Sequence, residues 1–125
     1  MRLRLAHAFA ICDRGTTAVE FALVMPAFLA LVLGGLSVCV LMYSNGNLQD
    51  AVEHGARCYS VDTGTCGSAA AVQTYAQGFY HGAGTPTFTA STPACGHQVI
   101  GSVTLELAGV VTNISVPLSA SACFP

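Results

Sequence analysis

Between Glu20 and Asp50 the chain carries no Asp, Glu, Lys or Arg. Inside that gap, residues 21–43 read FALVMPAFLALVLGGLSVCVLMY, with Ser37 the only hydroxyl before Tyr43. As a helix this run would be ~34 Å long at ~1.5 Å per residue. That is enough to cross a hydrocarbon core of ~30 Å. It is too long for the ~7–15-residue apolar region of a cleavable secretory signal. The run therefore predicts a single transmembrane helix.

The remaining charges orient it. Arg2, Arg4 and Arg14 precede the run, and only Arg57 follows, among Asp50, Glu53 and Asp62. Positive side chains stay cytoplasmic, so the N-terminus is expected inside and the C-terminal part outside. Charged residues make up 8% of the 125, there is no Lys, and the formal net charge is −2. Four cations cannot form a nucleic-acid footprint. The mean hydropathy of +0.61 excludes ordinary disorder.

Cysteine placement agrees with export. Cys12 precedes the apolar run and Cys39 lies within it, whereas Cys58, Cys66, Cys95 and Cys123 fall on the outer side, where disulfides form. Four cysteines allow three connectivities. Cys58–Cys66 and Cys95–Cys123 are favoured: the first closes a short loop holding Gly64, the second ties down the last residues. An outer part this small needs such staples. Cys95-x-His97 has no accompanying CxxC, so no metal is expected.

Periodicity then sketches the fold. Leu48, Ala51, Val52, Gly55, Ala56 and Tyr59 share one helical face, with Gln49, Asp50, Glu53, His54 and Arg57 opposite. Glu53 and Arg57 stand i,i+4 in the favourable order. One helix is expected from about residue 18 to 59, kinked at Pro26. Ser44-Asn45-Gly46-Asn47 is its weak point. Ser68 can cap a second helix running to about Phe79, ended by Gly82 and Gly84. Beyond residue 85 the period becomes two. Thr87-Phe88-Thr89 is a short strand. Val99, Val103, Leu105 and Leu107 alternate with Ser102, Thr104 and Glu106. After an Ala108-Gly109 turn, Val110, Thr112, Ile114, Val116 and Leu118 alternate again, and residues 118–124 add an edge strand. The expected class is α+β: a long membrane helix, a short helix and a small antiparallel meander, disulfide-stapled.

The junction before the membrane carries the most chemistry. In Asp13-Arg14-Gly15-Thr16-Thr17-Ala18-Val19-Glu20-Phe21, a basic residue and Gly precede the apolar run, and one carboxylate follows five residues after the Gly. A charge at the edge of a membrane helix costs a few kcal/mol even on lenient scales, so it asks for a compensating partner. The segment, together with AVEFALVMPAFLALVLG and the later LQDAVEHGAR, resembles the TadE-like family, the pseudopilins or minor pilins of tight-adherence, Flp-type pilus systems. The resemblance is strong over residues 14–57 and generic beyond.

The resemblance implies cleavage between Gly15 and Thr16 by a membrane-embedded prepilin peptidase. It implies a leader of residues 1–15, a transmembrane segment of 16–43 and an exported domain of 44–125. Glu20 would be the processing and assembly glutamate, near the new α-amino group of Thr16. Implied partners are the peptidase, other pseudopilins or pilins, the inner-membrane platform and membrane lipid. No cofactor, no nucleic acid and no small-molecule substrate is implied, and no enzyme activity. The alternative is an uncleaved, signal-anchored envelope protein whose stapled ectodomain binds a ligand. The sparse charge of residues 44–125 leads us to expect a surface covered by partner subunits.

Overall fold

The computed structural model describes residues 16–108 and 112–125. Arg2, Arg4, Arg14, Gly15 and the Gly109 half of the expected turn lie outside those residues. The described elements are α1 (Thr16–Val61), α2 (Ala69–Phe79), β1 (Thr87–Ser91), β2 (His97–Leu107) and β3 (Ile114–Phe124). The chain divides into two compact units after Leu36.

In the first unit, residues 16–36 of α1 are almost entirely exposed, with only Met25 half-buried. Pro26 lies within the helix. Leu, Val, Phe and Ala on every face leave no polar stripe to turn toward water. Such a helix is stable only in an apolar surrounding. It is long and apolar enough to cross a membrane.

In the second unit, the rest of α1 becomes amphipathic. Leu48, Ala51, Val52, Gly55 and Ala56 are buried, and their neighbours on the other face are exposed. Ser44 to Asn47 do not break the helix. Ser44 is buried, and the Asn47 side-chain amide donates to the Tyr43 carbonyl at 2.9 Å. Glu53 and Arg57, despite their spacing, form no ion pair among the described residues.

Asp62 closes α1. Its backbone N–H donates to the Cys58 carbonyl at 2.8 Å, and the Cys66 N–H returns to the Asp62 carbonyl at 2.9 Å. Ser68 then caps α2, its hydroxyl accepting from the Ala71 N–H at 3.3 Å. α2 ends at Tyr80, before Gly82 and Gly84, because Tyr80 is already extended at φ −83°, ψ 118°.

The sheet is antiparallel with order β1-β2-β3. Phe88 faces Gly101, Val103 faces Leu118 and Gly101 faces Ala120. The inward side chains of β2, Val99, Val103 and Leu105, join Leu48, Val52, Val72, Ala76 and Phe88 in one core. The expected separate edge strand over 118–124 does not exist: β3 is one continuous strand, in which Pro117 is tolerated because β3 is the sheet edge. The interruption of the apolar alternation at Gly101 also has a reason. A Cβ there would stand 2.8 Å from Phe88, 2.8 Å from Val52 and 3.0 Å from Leu48. The helix crosses the sheet where there is no side chain to hold it off.

Candidate functional site

The described part of α1 begins at Thr16, inside the segment expected to be processed. Thr16 and Glu20 are separated by one helical turn, so they share a face ~6 Å apart along the axis. Glu20 is exposed and is followed by exposed Phe21, Leu23 and Val24. No other ionisable carboxylate occurs until Asp50. Chemically, this arrangement can hold an ammonium group, one turn back on the same helix or on a neighbouring chain.

The post-membrane pattern splits by burial. Leu48, Ala51 and Ala56 are fully buried, and Gly55 is buried too, with room for little more than hydrogen. An added Cβ would stand 3.2 Å from that of Ala76. Gln49, Asp50, Glu53, His54 and Arg57 are exposed. The LQDAVEHGAR segment therefore divides evenly between a packing face (Leu48, Ala51, Val52, Gly55 and Ala56) and a solvent face (Gln49, Asp50, Glu53, His54 and Arg57). His54 stacks on Phe79 with ring centroids 4.6 Å apart and planes at 15°, so this histidine joins α1 to α2.

Three devices hold the outer unit together. Cys58 is bonded to Cys66 and Cys95 to Cys123, the pairing favoured from spacing. Within the first loop, the Asp62 carboxylate accepts from the N–H of Gly64 at 3.0 Å and of Thr65 at 3.1 Å. The Thr65 side chain, then its backbone N–H, and then the Gly64 N–H hold this carboxyl below the usual Asp range against a small opposing effect of burial. The third device is a latch that sequence reasoning missed. The Ala83 N–H donates to the Ser44 hydroxyl at 3.0 Å, and the Tyr80 hydroxyl donates to the Ala83 carbonyl. Gly84, at φ 79°, turns the chain away. Leu105 and Val103 would both be 2.9 Å from a Cβ on it. The only forewarning was Ser44 on the apolar side of an otherwise amphipathic helix.

His97 sits edge-on to Tyr59, with centroids 4.4 Å apart. Its Nδ1 is buried without a hydrogen-bond partner. Cys95 is in a disulfide, which removes it as a ligand. Among the described residues no group of three His, Cys, Asp or Glu could hold a metal ion.

With that geometry in place, the comparisons are informative. Residues 15–57, about a third of the chain, match the family model described as TadE-like protein. No curated protein and no solved structure matches the chain. The match spans Gly15, Thr16 and Glu20, the apolar run and the LQDAVEHGAR segment. It associates the chain with the minor-pilin-like proteins of tight-adherence pilus systems, a family with no known enzyme activity.

Proposed function

We propose that this protein is a pseudopilin or minor pilin acting in assembly of a tight-adherence pilus. It is made with a cytoplasmic leader of residues 1–15, which a prepilin peptidase removes between Gly15 and Thr16. The mature protein starts at Thr16, spans the bacterial inner membrane once and carries its disulfide-bonded domain outside. Other pilins and the membrane platform are its partners.

The observation that carries this reading is Glu20: one exposed carboxylate, one turn from Thr16, just before the uncharged run of residues 21–49 in the segment that matches the family model. In an apolar surrounding an unpaired carboxylate is strongly penalised. Pairing with an α-ammonium offsets desolvation of both charges. Leader removal creates that ammonium, so cleavage and register become linked: the protein sits at the depth where the pair forms.

N-terminal sequencing of membrane-purified protein is expected to find Thr16 first. Deleting the peptidase is expected to raise the apparent mass by the leader. An intact Met1 start in cells holding the peptidase would instead support the uncleaved anchor. Glu20→Gln is expected to impair assembly. Unchanged cleavage, complex formation and piliation in that variant would remove the role assigned to Glu20.

A further inference from the structure

The apolar run of α1 continues into the outer unit as residues 37–43, and the sheet has to be placed against it. β2 runs antiparallel to α1, and contacts mark its course. His97 meets Tyr59 at 4.4 Å between ring centroids. Val99 lies 3.6 Å from where a Cβ on Gly55 would stand, and Leu48 and Val52 lie 3.0 and 2.8 Å from where one on Gly101 would stand. Gly84, beside the Ala83 that bonds Ser44, packs on Leu105. Lower still, Val40 and Leu107 line one open cleft of about 550 Å³. Each step toward the end of β2 is thus a step down α1 toward the bilayer. Val40 belongs to the uncharged run itself and is 43% exposed.

The described apolar residues near that end are half-buried or exposed. Leu107 is half-buried and pairs with Ile114, which is 56% exposed. Ala108 is exposed, and Val116 is half-buried. Leu107 also lines the cleft, with Val40, Val103 and Leu105 and with Thr85, Thr87, Thr104 and Glu106. Methyl groups, hydroxyls and one carboxylate together suit the boundary between acyl chains and headgroups.

We propose that the membrane-proximal end of the β2–β3 pair, centred on Leu107 and Ile114, is a second membrane contact that rests in the headgroup–acyl boundary of the outer leaflet. The occupant of the cleft is phospholipid, because Val40 on its wall belongs to the same uncharged apolar sequence that the membrane reading places in lipid. The contact fixes how the outer domain leans on the membrane, which a single helix leaves free to rotate. The inference rests on the membrane reading of α1.

The chain contains no Trp, so one introduced indole reports its own surroundings. Full-length protein would be reconstituted in phosphatidylcholine vesicles carrying lipids brominated at shallow or deep chain positions. Four single substitutions would be compared: Ile114→Trp, Ala108→Trp, Ile100→Trp on the outer sheet face and Leu31→Trp in the apolar run. The Ile114 and Ala108 variants are expected to show blue-shifted emission, quenched by shallow bromines and protected from aqueous acrylamide. Ile100→Trp is expected to be quenched by acrylamide only, and Leu31→Trp by deep bromines. The second position guards against a variant that does not fold.

If Leu31→Trp is quenched by lipid but the Ile114 and Ala108 variants behave like Ile100→Trp, the anchor stands and the second contact is wrong. If Leu31→Trp escapes lipid quenching, the membrane reading itself fails. Protection of Ile114→Trp from both quenchers, rising with protein-to-lipid ratio, would show a second copy in the cleft and overturn the assignment to lipid.

Discussion

Ser44 and Asp62 show how single polar groups set local order in a chain with few charges. Ser44 is fully buried, and its hydroxyl is the acceptor for the Ala83 N–H, thirty-nine residues away. A buried hydroxyl with a partner is tolerated, and removing it leaves that N–H to find water. Ser44→Ala is expected to cost about 1 kcal/mol and to raise hydrogen exchange at Ala83 without altering helix content. Unchanged exchange there would mean that the latch does not hold the turn. Asp62 makes a pH prediction. Its folded pKa is lowered, so its contribution is present above the ordinary Asp value of 3.8 and lost as pH falls through the lower folded value. The carboxylate is fully exposed, so the effect is local: acid is expected to loosen the amides of Gly64 and Thr65, followed by NMR. In Asp62→Asn those amides are expected to stay constant through the same titration.

At the scale of elements, the helix and the sheet were legible to different degrees. The period of 3.6 from Leu48 to Tyr59 marked the buried face of α1, because apolar spacing there has no competing explanation. Val99, Val103 and Leu105 marked β2 equally well. The joins were less legible. Ser44-Asn45-Gly46-Asn47 has poor helix propensity, and tertiary packing of Ser44 overrode it. Residues 118–124, expected as a further edge strand, are the second half of β3, and Pro117 fits within it because an edge strand needs no donor on its free side. Glu20 stood out as a lone charge, whereas the latch joins residues too far apart in sequence to be anticipated.

Two glycines turn the packing of these elements into a ranking. Gly101→Ala puts a methyl against Phe88, Val52 and Leu48 at 2.8–3.0 Å, which is expected to destabilise the outer domain by ~1–3 kcal/mol. Gly55→Ala meets Ala76 at 3.2 Å, and the helix regains up to ~1 kcal/mol of propensity, so near-neutral stability is expected. Thermal unfolding of detergent-solubilised protein checks the order, and the reverse order would show that α1 does not pack on the sheet as described. Opening Cys95–Cys123 with paired Ser substitutions is expected to lower stability by ~2–4 kcal/mol, since it releases the end of β3 from the turn before β2.

For the whole molecule, the sparse charge divides into two causes. The apolar helix accounts for one. The other is the outer face of the sheet, where Thr87, Thr89, Ser102, Thr104, Ser119 and Ser121 are all exposed and only Glu106 is charged. In register, Thr87, Ser102 and Ser119 form one row across the three strands. Hydroxyls solvate a face while it stands in water and set no like-charge barrier when copies or other pilins close over it. Under the function proposed above, the protein waits in the membrane and is then packed into an assembly, and both properties serve that order of events. Ser119→Lys tests this directly. A surface change of this kind is expected to alter stability by no more than ~0.5 kcal/mol, and membrane levels and disulfides should be unchanged. Pilus assembly is expected to fall, because a buried ammonium with no partner is costly. Full piliation by Ser119→Lys, counted by electron microscopy beside Ser119→Thr, would show that this face stays in water and that other surfaces make the contacts.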